Sequence, residues 1–259
     1  MPRSVGSTHG LVTSDQVWHR LPTTARRELV AECVGKLGKP GLHVFTDGSA
    51  KLSEGGSRSA GWGLAVLMQH ETHAEFLGCA CGPVALKGED SIGADRLSNN
   101  TGELSAIAWA LVLSLRWENV REVFVHYDSQ YAAGAVLAQQ RLSANVRLVH
   151  VARALLWQCR KRRGVQMVKV TAHSEHPWND LADAAAEWGR AGERLGMSWD
   201  KGPDVEVVLE AYRGRMCSDV PVQHWPCEHE QWEFHHGQWH LPTSVIFPEE
   251  VKDDAAKGT

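Results

Sequence analysis

Three strand-like runs follow one another without a helix between them, and from there helices and strands alternate. "LHVFT" (42–46), "WGLAVLMQ" (62–69) and "THAEFLGCACGPVA" (72–85) are rich in β-branched, aromatic and other apolar residues and are bounded by glycine-rich or polar stretches. The first two are separated by "DGSAKLSEGGSRSAG" (47–61), which reads as a glycine-rich turn. A polar loop, "LKGEDSIGADRLSN", leads to a helical pattern from Asn100 to Trp117, with Leu104, Ile107, Ala108, Leu111 and Leu115 on one side. "REVFVHYD" predicts a fourth strand, "SQYAAGAVLAQQ" a short helix, "ANVRLVHVARALLWQCRKRR" a longer helix and "VQMVKVTA" a fifth strand. "PWNDLADAAAEWGRAGERLG" closes the series as a helix with Pro177 in its first turn, where a missing N–H does little harm. The order β-β-β-α-β-α-α-β-α predicts an α/β fold, a mixed sheet with helices packed on it.

The flanks differ from this middle. Residues 1–14 are polar, and the stretch before Gly38-Lys39-Pro40-Gly41 carries Leu29, Val30, Cys33, Val34 and Leu37 at helical spacing. Beyond about residue 200 the chain is dense in Trp and His. The expected organisation is an N-terminal extension with a helix (1–40), a central α/β domain (41–196) and a C-terminal extension (197–259). Lys plus Arg number 27 against 31 Asp plus Glu, a net charge of -4, so the chain as a whole lacks the basic excess of many nucleic-acid binders. A polyanion would have to meet a local basic patch. Six scattered cysteines form no framework, no apolar leader opens the chain and no run approaches the ~18 apolar residues of a membrane span. A soluble, intracellular monomer with no membrane partner is the expectation.

Acids stand out against this frame. "LHVFT" and "VFVHY" both run directly into an acid, Asp47 and Asp128. In open α/β sheets, side chains at the carboxyl ends of strands converge on a common site. Glu103 stands three residues after Asn100, and Asp183 lies near the start of the last helix. Each acid also has an ordinary local role open to it. Asp47 suits an Asp-Gly turn, Asp128 a turn or helix cap, Glu103 a capping box with Asn100, and Asp183 the positive end of a helix dipole.

Taken in order, "FTDGSA", "GWGLAVL", "NNTGELSAIAWAL", "YDSQY" and "VKVTAHSEHPWNDLADAAA" resemble the motifs of the ribonuclease H family over about residues 42–190. The resemblance implies a five-stranded mixed sheet in the order 3-2-1-4-5 with helices on both faces. It also implies that Asp47, Glu103, Asp128 and Asp183 hold two Mg²⁺ ions, for which Mn²⁺ can substitute. The fourth carboxylate maps to Asp183, four residues after Asn179, rather than to Asp180. Hard cations of this kind favour carboxylate oxygen, and two of them suit in-line phosphodiester hydrolysis. His173 matches the family's mobile histidine, which assists proton transfer or product and metal release; His176 has no such match. Gly48 and Ser49 leave room behind the acid for metal and phosphate. Asn99, Asn100 and Gln130 occupy the places from which the family reads the ribose 2′-hydroxyl, the group that tells RNA from DNA.

The implied function is a metal-dependent endonuclease that cuts the RNA strand of RNA/DNA hybrids, leaving a 5′-phosphate and a 3′-hydroxyl. A silent hybrid-binding module and another nuclease of the same superfold, such as a transposase or junction resolvase, stay open as alternatives. The intact four-acid set argues against the first of these, and Asn99, Asn100 and Gln130 argue against the second. Where bacterial-type members have a basic protrusion, this chain has the short "AQQRLSAN" with Arg141 alone, a trait shared with many retroelement domains of the family. Phosphate contacts then fall to other cations, of which Arg160, Lys161, Arg162 and Arg163 form the densest run; the same run also suits a helix C-terminus. Cys217, Cys227, His229, His235, His236 and His240 match no common zinc spacing, and Trp225, Trp232 and Trp239 read as packing for a small accessory unit.

Overall fold

A computed structural model describes Arg20, residues 38–88, 90–117, 119–139, Leu142, and residues 144–170 and 176–196, together with the backbone of 233–235 and 238–240. The helix predicted before residue 38, the loop with His173 and the Cys and His cluster after residue 200 lie outside the described side chains.

Strands β1 (Gly41–Leu52), β2 (Arg58–Gln69) and β3 (Ala74–Pro83) form an antiparallel meander. Helix α1 (Asn99–Arg116) then crosses to β4 (Glu122–Tyr127), which pairs parallel with β1. Helices α2 (Gln130–Val136) and α3 (Val146–Arg162) lead to β5 (Gly164–Lys169), parallel to β4, and α4 (Pro177–Arg190) closes the series. The sheet order is β3-β2-β1-β4-β5, the ribonuclease H arrangement expected from the motifs.

Alternation along β1 and β2 divides the core into two layers. Leu42, Val44, Leu64 and Val66 face a large cluster with Leu104, Ile107 and Leu111 of α1 and Leu148 and Leu155 of α3. Phe45, Ala65 and Leu67 point the other way, onto Trp178, Leu181 and Ala182 of α4. Every residue of α1 from Thr101 to Leu115 is buried, so this helix is covered on all sides rather than along one stripe. Each fully buried leucine contributes about 1.5–3 kcal/mol of apolar burial, so α1 is a substantial support for this face of the sheet.

Three local expectations change. The first strand does not stop at Thr46; β1 runs through Asp47 to Leu52, paired with β2 as far as Leu52↔Arg58. The turn shrinks to a tight loop closed by Ser53 and Ser57, with Gly56 at φ 77°. Gly48 and Ser49 looked like turn chemistry, but a strand partner on one side outweighs local preference. Second, α1 begins at Asn99 and is capped by Ser98, whose Oγ accepts from the Thr101 N–H at 3.2 Å, so no Asn100–Glu103 capping box forms. Third, Ser129 rather than Asp128 caps α2. Glu103 and Asp128 are therefore not the caps of their helices.

At the other end of the sheet, Arg163 follows α3 and donates through Nη1 to the carbonyls of Ser114, at 2.6 Å, and of Trp117. After α4 the chain turns back along β3, where Leu195 exchanges two backbone hydrogen bonds of 3.0 and 3.1 Å with Cys81. Arg20 stacks over Trp188 and pairs with Glu193. Two three-residue strands, β6 (Glu233–His235) and β7 (Gln238–His240), pair antiparallel as a separate ribbon.

Candidate active site and metal centre

Register brings the first two acids together. The parallel ladder between β1 and β4 ends at Phe45↔His126. Two residues further along each chain stand Asp47 and Asp128, on the same row and with the same parity. Adjacent strands lie about 4.8 Å apart. Thr46, fully buried, closes the ladder with its side chain: Oγ1 donates to the His126 carbonyl at 2.9 Å. One row earlier, His43 and His126 share a buried hydrogen bond of 2.9 Å between ring nitrogens, and Phe45 stacks on His126 at 4.1 Å. Burial holds both imidazoles neutral, lowering His126 to about 3.

Glycine brings in the helices. A Cβ on Gly48 would lie 2.1 Å from the Glu103 nitrogen, and one on Gly102 would lie 2.7 Å from the Gly61 carbonyl oxygen. With neither present, the first turn of α1 rests directly on β1 and β2, and Glu103 reaches the row of Asp47. On the opposite face Gly63, the cross-strand partner of Asp47, lets α4 approach; a Cβ there would lie 2.2 Å from the Ala186 nitrogen and 2.3 Å from the Ala182 carbonyl oxygen. Asp183, next along α4, is thereby brought within electrostatic reach of Asp47.

One carboxylate oxygen from each of Asp47, Glu103 and Asp128 lies within 4.8 Å of the other two. Asp183 is exposed on α4 and stands outside this triad, acting on Asp47 through its charge. The Gly48 N–H donates to Asp47 Oδ1 at 2.6 Å, and Asn99 Nδ2 faces Glu103 Oε1 at 3.5 Å. Burial, then the charges of Asp128 and Asp183, push Asp47 up to about 7; burial, then Asp47 and Asp128, raise Glu103 well above the ordinary carboxylate range. Packed acids relieve their mutual repulsion either by keeping protons or by taking up cations. All three donors are carboxylate oxygens, so the residues present fit a hard divalent cation.

The other expected residues are distributed around this centre. Asn99 and Asn100 are exposed at the start of α1, and Gln130 is exposed at the start of α2 with Oε1 accepting from Lys169 Nζ at 3.5 Å. Ser49 lies on the α4 face of β1, where its Oγ accepts from Arg190 Nε at 2.9 Å. His176 precedes α4 and tilts against Phe45 at 4.9 Å. The basic run is displaced. Arg160, Lys161 and Arg162 end α3 just before Gly164, which pairs with Glu122, whereas the acids lie beyond Tyr127↔Lys169. Six residues of strand separate the two ends, about 20 Å. Arg163 is bound to the α1 carbonyls, and Lys161 sits over the Trp157 ring at 3.7 Å. Thr46, Lys169 and Arg190 were not among the residues expected at the site. Only their places at strand and helix ends marked them, and that signal needs the register.

Residues 39–191, more than half of the chain, match the RNase H family. The chain belongs to this family. Among solved structures, it resembles the RNase H domain of prototype foamy virus, with 19% identity and a TM-score of 0.46, over 60% of this chain and 97% of that one. RNase H1 of the archaeon Halobacterium salinarum is 16% identical with a TM-score of 0.41, over 57% and 96%. The N-terminal RNase H domain of Mycobacterium tuberculosis Rv2228c, solved as a fusion with maltose-binding protein, is 19% identical with a TM-score of 0.42, over 57% and 98%. No curated protein matches the chain. Among the described residues, no helix of this RNase H family member is long and apolar enough to cross a membrane.

Proposed function

We propose that the chain is a divalent-metal-dependent endonuclease that hydrolyses the RNA strand of RNA/DNA hybrids, leaving a 5′-phosphate and a 3′-hydroxyl. The observation that carries this reading is the convergence of Asp47, Glu103 and Asp128 in a member of the RNase H family. Asp47, Glu103 and Asp128, with Asp183 beside them, would hold magnesium, or manganese in its place. The metal would supply Lewis-acid stabilisation of charge on phosphate oxygens and a more acidic bound water.

The chain's own residues do the rest. Asp47 stays fixed by the Gly48 N–H, and the Thr46 hydroxyl ties β1 to β4 at the row where both aspartates emerge. Asn99, Asn100 and Gln130 flank the triad on exposed helix starts, where amide groups can both donate to and accept from a ribose 2′-hydroxyl. Gly48 carries no Cβ, so the Glu103 backbone closes directly on the strand beside Asp47. His173, in the segment before α4, is the proposed proton carrier.

The test is cleavage of labelled RNA/DNA hybrid, double-stranded RNA, double-stranded DNA and single-stranded RNA, with magnesium or chelator. Hybrid-selective, metal-dependent cutting is expected, and Asp47→Asn should reduce it by at least about a hundredfold, the order of loss when a group stabilising transition-state charge is removed. Full activity in Asp47→Asn would overturn the metal assignment. Hybrid binding without cutting by the wild type would leave a binding module instead.

A further inference from the structure

We infer that Lys169 is a positioning residue for Gln130, fixing the amide so that its NH₂ group is presented to the ribose edge of the RNA strand. The inference rests on the proposed hybrid nuclease. It starts from register: Lys169 is the last residue of β5 and pairs with Tyr127, the last residue of β4, immediately before Asp128. Lys169 shares parity with Val165 and Met167, whose side chains pack on the α1–α3 core, so it leaves the sheet on that face. Gln130 opens α2 on the same face, and the Lys169 ammonium donates to Gln130 Oε1 at 3.5 Å.

A glutamine amide has one acceptor end and one donor end, and a free side chain offers either. With Oε1 turned to an ammonium, the NH₂ end faces away from β5. The minor-groove side of a nucleic acid strand is rich in acceptors, and RNA adds the 2′-hydroxyl oxygen. The fixed amide therefore matches the RNA strand, and the remaining N–H groups of Lys169 stay available to a phosphate of the same strand. Lysine has three donors, so both contacts are compatible. The positive charge is notable here because the densest basic run lies at the other end of the sheet.

The experiment measures binding of the full chain to an RNA/DNA hybrid and to a DNA duplex of the same sequence, in the non-cleaving Asp47→Asn background. Lys169→Met, Lys169→Arg, Gln130→Ala and the Lys169→Met/Gln130→Ala pair are compared. Lys169 is exposed, so a fold defect would show as a lower melting temperature and be restored by Lys169→Arg. Loss of one exposed hydrogen bond corresponds to about a two- to tenfold effect. Lys169→Met should lower the preference for hybrid over DNA by about that factor, Lys169→Arg should keep it, and Lys169→Met should not change it once Gln130 is alanine. An equal loss on both duplexes, or a loss of preference undiminished by Gln130→Ala, overturns the positioning role. Absence of any hybrid preference in the parent overturns the proposed function, and this inference with it.

Discussion

Asp47 and Glu103 hold their protons more tightly than ordinary carboxylates because they are buried and face other acids. The unfolded chain releases those protons at about pH 4, so the stability these groups contribute below that pH is lost as pH rises through neutrality. His43 and His126 act in the opposite sense. Held neutral by burial, they refuse protons that the unfolded chain takes up below about pH 6.5, and stability falls on the acid side. Magnesium relieves only the carboxylate limb. Its addition should raise the melting temperature more at pH 8 than at pH 6, and Asp47→Asn should shrink that difference. A metal-induced rise of equal size at both pH values would contradict the triad as the binding site. These residues were legible as candidates because two of them end apolar runs, but Asp183 was not separable from the triad by sequence. Its side chain is exposed on α4, a property set by helix orientation rather than by spacing.

Helix starts and strand ends account for most of what the sequence concealed. Spacing announced a helix from Asn100, yet the helix starts at Asn99 under a Ser98 cap, so Asn100 lies inside the first turn and Glu103 does not serve a capping box. Local pattern also ended β1 too early, since a Gly-Ser pair says turn until a neighbouring strand pairs with it. The close approach of α1 to β1 rests on Gly48 and Gly102, neither of which carries a periodic signal. Gly48→Ala would force a Cβ against the Glu103 backbone, where no flexible side chain can yield. It should destabilise the protein by about 3 kcal/mol or more, as overpacking against rigid backbone does, and lower cleavage further than stability alone predicts. Denaturant unfolding beside single-turnover cleavage checks both. A stable, fully active Gly48→Ala would mean that α1 can retreat without moving Glu103.

For the molecule as a whole, strand order and helix placement were legible from the succession of elements and the family motifs, while the location of charge was not. Arg160, Lys161, Arg162 and Arg163 were expected as phosphate contacts, and a strand's length lies between this run and the acids. This separation sets a length dependence. Spanning about 20 Å takes roughly six base pairs at 3.4 Å each, so charge-neutralising substitution of Arg160 and Lys161 should weaken binding of long hybrids and spare those too short to extend that far. Affinity measured over a series of hybrid lengths tests this, and equal weakening at every length would disprove it. Strand β1 changes character partway along its course. From Leu42 to Phe45 it pairs with a strand on either side, whereas from Thr46 onward, among the described residues, its strand pairing is with β2 alone. The sheet therefore forks at the aspartate row, where Thr46, Asp47 and Gly48 stay buried. A ladder that stops hands its next row to side chains, and here those side chains are two aspartates.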